Sequence, residues 1–159
     1  ARRSKGKLPS GDNARDCALI RKFLEAAGVR ASNIHHADTI PSALQVLRRS
    51  YAAAPSIDVA DAIVQAELAS GVPLQQAREG YVRHMTQEPS LIAATRWLSH
   101  EAFAQEDAHP TVQRSLEHAA RPLARYRCAA CGFEAQGYFW QCPGCQAWES
   151  FPPKRIEEL

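Results

Sequence analysis

The sequence predicts a mainly α-helical chain that ends in a compact metal-binding ribbon of short β-hairpins. Three observations carry this expectation. Apolar residues recur at helical spacing from about Arg15 onward, part of that pattern recurs at a fixed longer interval, and two Cys-x-x-Cys pairs lie close together near the C-terminus. The expected organisation is a basic N-terminal segment over residues 1–14, helical repeats over 15–124 and a metal ribbon over 125–159.

The first helix is expected over Arg15–Ala27, where Leu19, Ile20, Phe23, Leu24 and Ala27 form one apolar stripe and Gly28 supplies the stop. Thr39 and Pro41 mark the next start, with Ala43, Leu44, Leu47 and Tyr51 on its buried face. A third helix is expected from Ile57 to Ser70, closed by Gly71. A fourth opens at Pro73 and carries Leu74, Ala77, Tyr81 and Met85; a fifth follows Ser90 and a sixth begins near Pro110.

The shift that superposes Ile40 on Leu74 also superposes Ala43 on Ala77, Leu47 on Tyr81, Pro55 on Pro89 and Ser56 on Ser90. It matches the tetratricopeptide period of about 34 residues. A small residue lets paired helices approach closely, a larger one four positions on fills the groove, and a proline ends the pair. The Trp and Leu-Gly of a strong repeat are missing, and the copy after Pro89 decays, with Thr111 and Ser115 at the expected Ala and aromatic places. Such repeats stack into an α-solenoid whose concave surface usually binds a peptide or a protein.

Charge separates the function classes. The net charge is +2; residues 1–7 hold four basic groups (Arg2, Arg3, Lys5, Lys7), residues 8–124 hold 11 basic and 13 acidic groups, and residues 125–159 hold four of each. A nucleic-acid-binding surface calls for a concentrated basic face, and the short basic run reads as a solvated chain end. No apolar stretch follows that run as in a signal peptide, and no apolar run is long enough to cross a membrane. The start at Ala rather than Met suggests a piece of a longer protein.

The ribbon sequence YRCAACGFEAQGYFWQCPGCQAWESF, from Tyr126 to Phe151, carries the chemistry. Each Cys-x-x-Cys begins a tight turn helped by a small residue, Gly132 after the first pair and Gly144 inside the second, so that backbone N–H groups face the sulfurs. Cys128, Cys131, Cys142 and Cys145 are therefore the expected ligands of one tetrahedral ion at about 2.3 Å. Four thiolates close the coordination sphere and leave no position for an activated water, so the ion is expected to be structural. Zinc is favoured, although iron fits the same donor set. Persistent disulfides do not suit a cytosolic repeat protein, and a thioredoxin-like site would need a βαβ context. Phe133, Tyr138, Phe139, Trp140 and Trp148 are expected mostly to fill the small core, with Trp140 or Trp148 docking onto the last helices. Cys17 has no partner at ligand spacing.

No enzyme site emerges. His100-Glu101 begins like H-E-x-x-H, but Ala104 stands where the second His is required; His35 and His36 read as solvated loop residues; G-x-S-x-G, G-x-G-x-x-G and the phosphate-binding loop motif do not occur.

Tyr126-Arg-Cys-x-x-Cys-Gly-Phe133, then Trp140-x-Cys142-Pro143-x-Cys145-x-Ala147-Trp148, following degenerate repeats, resembles the C-terminal part of the lipopolysaccharide assembly protein B family from about Pro41 to Pro153. The resemblance implies a rubredoxin-type metal domain packed on the repeats, with Cys128, Cys131, Cys142 and Cys145 as its ligands. It also implies a non-enzymatic adaptor on the cytoplasmic side of the Gram-negative inner membrane, anchored in longer relatives by an N-terminal transmembrane helix. The family brings the lipid A pathway deacetylase to a membrane-anchored AAA+ protease and so limits lipopolysaccharide synthesis. Residues 1–32 lie outside the likeness. The ribbon elements also resemble those of RadA-type recombination proteins, which would make it a nucleic-acid-binding module. There, however, the ribbon precedes an ATPase with a phosphate-binding loop, whereas here it is charge-neutral and ends the chain.

Overall fold

The computed structural model describes residues 18, 20–22, 24, 25, 39–100 and 109–159. Among these the chain forms helices α1 (Ile40–Ala53), α2 (Ile57–Ala69), α3 (Leu74–Ala77), α4 (Glu79–Gln87), α5 (Leu91–Leu98) and α6 (His109–Ala120). Strands β1 (Tyr126–Arg127) and β2 (Glu134–Ala135) follow, then a closing 3-10 turn over Ile156–Glu158. Ahead of α1, Ala18, Ile20, Arg21, Lys22, Leu24 and Glu25 are helical, and Ile20 and Leu24 are buried in the first core cluster. Leu19, Phe23, Ala27, Cys17, His35, His36, Glu101 and Ala104 lie outside the described residues.

Local chemistry explains where the helices start. The Thr39 side chain accepts from the Ser42 amide, Ser42 returns the bond to the Thr39 backbone, and Pro41 occupies a first-turn position where no N–H is needed. Ser56 caps α2 by accepting from the Val59 amide, and Ser90 caps α5 by accepting from the Ala93 amide. The two caps fall at equivalent places in successive repeats, as the superposition of Ser56 on Ser90 requires. Gly71, at φ +87, takes the left-handed conformation that ends α2.

The repeat is visible in the packing. Ala43 and Ala77, equivalent under the shift, are both fully buried, as are Leu47 and Tyr81. One cluster joins Ile20, Leu24, Ala43, Leu47 and Val59; a second joins Ile57, Val64, Tyr81, Ile92 and Ala120. α2 supplies residues to both and is the spine between successive hairpins. The helix expected from Pro73 is divided at Arg78, where Tyr81 N–H bonds the Arg78 carbonyl in a tighter, 3-10-like turn. The tightening falls beside Gly80, which lies so near α2 that an added Cβ would sit 2.9 Å from Val64 Cγ2. None of the helices of the described residues is long and apolar enough to cross a membrane.

Candidate metal centre

The ribbon is built from two copies of one turn, one at each cysteine pair. In the first, Cys128 N–H bonds the Phe133 carbonyl and Gly132 N–H returns to the Cys128 carbonyl, both at 2.9 Å. In the second, Cys142 N–H bonds the Ala147 carbonyl at 2.9 Å and Gln146 N–H bonds the Cys142 carbonyl at 2.8 Å. The residue after the second cysteine is left-handed in both, Gly132 at φ +77 and Gln146 at φ +59. Each turn is the tip of a short antiparallel pairing: Arg127 faces Glu134 in the β1–β2 sheet, and Gln141 bridges Trp148. Gly144 differs from these, since its place is set by a close approach: a Cβ there would crowd the Phe133 ring at 3.3 Å.

The two tips bring Cys128, Cys131, Cys142 and Cys145 together, with all four sulfurs within 4.8 Å of one another. Cys128 Sγ lies 3.9 Å from Cys145 Sγ, and Cys131 Sγ 3.7 Å from Cys142 Sγ. These separations are far beyond a disulfide bond at about 2.05 Å. They match the sulfur–sulfur edge of about 3.8 Å set by a tetrahedron with 2.3 Å metal–sulfur bonds.

Electrostatics also ask for a cation. The Ser150 hydroxyl, 3.3 Å from Cys128 Sγ, favours its thiolate, and with help from the Cys131 and Ala130 amides draws its pKa down to about 6. Cys131 also receives thiolate support, from the Phe133 amide. The crowded sulfurs of Cys145, Cys128 and Cys142, with desolvation, nevertheless push its pKa up to about 12. Four sulfurs this close cannot all ionise without positive charge among them, and a metal cation held by them would supply it. Cys128 and Cys142 are buried while Cys131 and Cys145 are exposed, so the centre sits at the ribbon surface.

The aromatic residues divide. Tyr138 packs against the buried set of Tyr126, Cys128, Cys142 and Phe151. Phe133 and Phe139 are exposed at about two-fifths of their surface. Neither Trp140 nor Trp148, the rings expected to dock onto the last helices, is buried among the described residues. Trp140 is 46% exposed and stacks edge-on against Tyr138, and Trp148 is 70% exposed. The attachment is made instead by polar groups on both sides of the cysteine pairs, Tyr126 before the first and Arg155 beyond the second.

Arg155 Nε and Nη2 donate to the Asp58 carboxylate of α2 at 2.7–3.0 Å, the Tyr126 hydroxyl donates to the same carboxylate, and the guanidinium lies 4.2 Å over the Tyr126 ring. Burial, and then the Asp58 charge, hold the Tyr126 hydroxyl well above the usual tyrosine range, so it stays a donor. Arg155 Nη1 also bonds the Ala124 carbonyl, and Ile156 N–H bonds the Arg125 carbonyl at 2.8 Å. Sequence reasoning missed Ser150, Asp58, Arg155, Glu157 and Glu158. Their partners are up to 101 residues distant along the chain, and no local pattern marks them.

A family profile for the rubredoxin metal binding domain matches residues 126–153. Lipopolysaccharide assembly protein B of Haemophilus influenzae is 27% identical over 81 residues, which is 48% of this chain and 20% of that protein. Its counterpart in Escherichia coli K12 is 49% identical over 35 residues, 22% of this chain and 9% of that protein. The chain thus spans a fifth or less of the curated relatives it matches. In its four-cysteine ribbon, and more distantly in the helices before it, the chain is similar to the lipopolysaccharide assembly protein B family.

Proposed function

We propose that this chain is part of a non-enzymatic adaptor that regulates lipopolysaccharide synthesis, in which helical repeats bind a client protein and a zinc-loaded ribbon holds their end in shape. Cys128, Cys131, Cys142 and Cys145 are the ligands in this reading, and zinc is the resident ion because a closed four-thiolate site is its usual structural setting. The observation that carries the proposal is the convergence of those four sulfurs in a ribbon similar to the one of lipopolysaccharide assembly protein B. By that likeness the clients are the lipid A pathway deacetylase and a membrane-anchored AAA+ protease, met at the cytoplasmic face of the inner membrane.

Two surfaces suit a client. A groove of about 490 Å³ crosses α2 between α1 and α4, lined in part by Arg48, Tyr51, Ile63, Glu67, Arg83 and Gln87. The exposed rings of Phe133, Phe139, Trp140 and Trp148 lie on the ribbon. The test is affinity capture from a Gram-negative extract with this chain as bait, beside a Cys142→Ser, Cys145→Ser variant, together with metal analysis of both. The expected result is one equivalent of zinc and recovery of the deacetylase or the protease with the intact chain only. Recovery of nucleic acid in a salt-dependent manner, or of neither protein by a zinc-loaded chain, would overturn the adaptor reading.

A further inference from the structure

The segment after the ribbon, Lys154–Leu159, returns to the helices and engages two of them at equivalent places. Glu158 Oε1 accepts from the Ile57 amide at 2.7 Å, at the start of α2. Glu157 accepts from the Ser90 hydroxyl, the Leu91 amide (3.1 Å) and the Ile92 amide (3.3 Å), at the start of α5. Ile57 and Leu91 are related by the same shift that superposes Ser56 on Ser90, so consecutive glutamates cap repeat-equivalent helices. Each carboxylate meets first-turn amides that have no partner within their own helix, where negative charge is also favoured by the helix dipole.

The tail reaches these places because the ribbon aims it. Arg155 is fixed by Asp58, by the Ala124 carbonyl and by the Tyr126 ring, and its own N–H bonds Glu158 Oε2 at 2.8 Å. Tyr126 is a β1 residue two positions before Cys128 and packs in the same buried cluster as Cys128, Cys142 and Phe151. A continuous chain of contacts therefore runs from the sulfurs through Tyr126 and Arg155 to Glu157 and Glu158.

We propose that this tail is a clasp that makes the order of α2 and α5 depend on the metal state of the four-cysteine site, with Arg155, Glu157 and Glu158 as its positioning residues. It rests on the reading that those cysteines hold a metal. So small a unit has too little core to keep its shape once the ion is removed, so loss of the ion frees Tyr126 and Arg155 and withdraws both caps. α2 is also the floor of the groove lined by Tyr51, Ile63 and Arg83, so the clasp carries the metal state to a client surface.

The test is amide hydrogen exchange on the whole chain, metal-loaded and after treatment with excess chelator, with the released metal measured in parallel. The expected result is that exchange at Ile57, Leu91 and Ile92 rises about fivefold or more on metal release, the effect of losing one helix cap. Over the same treatment Ser42 and Ala43, capped by Thr39 without the tail, should keep their protection. In a Glu157→Gln, Glu158→Gln variant the three amides should exchange fast with metal in place, and chelation should add little. The clasp is overturned if metal leaves and the three amides keep their protection, or if α1 loses protection in step with them, which is global unfolding. A chain that takes up no zinc at all overturns the metal reading itself, and the clasp with it.

Discussion

Asp58 gathers donors from the far end of the chain: two guanidinium nitrogens of Arg155 and the Tyr126 hydroxyl converge on one carboxylate. Its side chain is 15% exposed and that of Arg155 21%, so most of the water that would otherwise solvate these charges is gone. Removing one partner of such a pair leaves the other desolvated. Asp58→Ala should therefore lower the stability of the helices by about 2–3 kcal/mol in urea unfolding followed by helical signal, somewhat less than for a fully dry pair. His84 poses the opposite problem. It is buried, Tyr51 Oη lies 2.9 Å from its Nδ1, and its Nε2 has no hydrogen-bond partner among the described residues. Burial holds its pKa below the usual histidine value, against smaller upward pulls from Glu88 and Glu157. The folded chain thus binds this proton less readily than the unfolded chain, which titrates near about 6.5. Stability from His84 is complete above that value and declines as pH falls through it. Glu158 works with the other sign at lower pH, since burial raises its carboxyl pKa. A comparison of urea midpoints at pH 7.5 and 5.5 should therefore show a smaller loss for His84→Gln than for the native chain.

At the scale of elements, the same local device has different weight depending on what the rest of the chain adds to it. Ser56 and Ser90 cap equivalent helices, but the Ser56 bond to Val59 N–H is long at 3.4 Å, whereas Ser90 accepts from Ala93 N–H at 2.9 Å and also donates to Glu157. Ser90→Ala should cost about 2 kcal/mol and Ser56→Ala about 1 kcal/mol, by thermal or urea unfolding. The two cysteine turns offer a similar contrast. Gly132 sits at φ +77 with nothing within 4 Å of a new Cβ, while Gln146 holds the equivalent left-handed place as a non-glycine residue. Gln146→Gly should thus strengthen the ribbon by up to about 1 kcal/mol, and Gly132→Ala should weaken it by a similar amount through backbone strain alone. Competition with a chromophoric zinc chelator would read both. The cysteine turns and helix starts were legible because each is fixed by neighbours in sequence: a hydroxyl one turn before an amide, a glycine after a thiol. The break at Arg78 was not legible, since it occurs where Gly80 meets Val64, which belongs to another helix and lies outside any local sequence pattern.

For the molecule as a whole, the repeats and the ribbon announce themselves by period and by spacing, but their joint does not. Arg155, Glu157 and Glu158 follow the second cysteine pair with no local sequence pattern to single them out. Trp140 and Trp148 look like the better anchors, because burying an aromatic ring is a large and familiar source of attachment energy. The structure makes the joint from charge-assisted bonds instead: one shared carboxylate on α2 and two glutamate caps on α2 and α5. Such bonds depend on direction, so they hold only while every participant stays in register. A joint of this kind predicts cooperative behaviour. With metal bound, the ribbon and the helices from α2 to α5 should unfold in one calorimetric transition, because neither part keeps its caps and pairings without the other. In Asp58→Ala the shared carboxylate is gone while the four sulfurs are untouched, and the same scan should resolve two transitions, the lower for the helices and the higher for the metal-held ribbon. A single unsplit transition in that variant, at a melting temperature no lower than the native one, would mean that the ribbon is held to the repeats by contacts other than the Asp58–Arg155 pair.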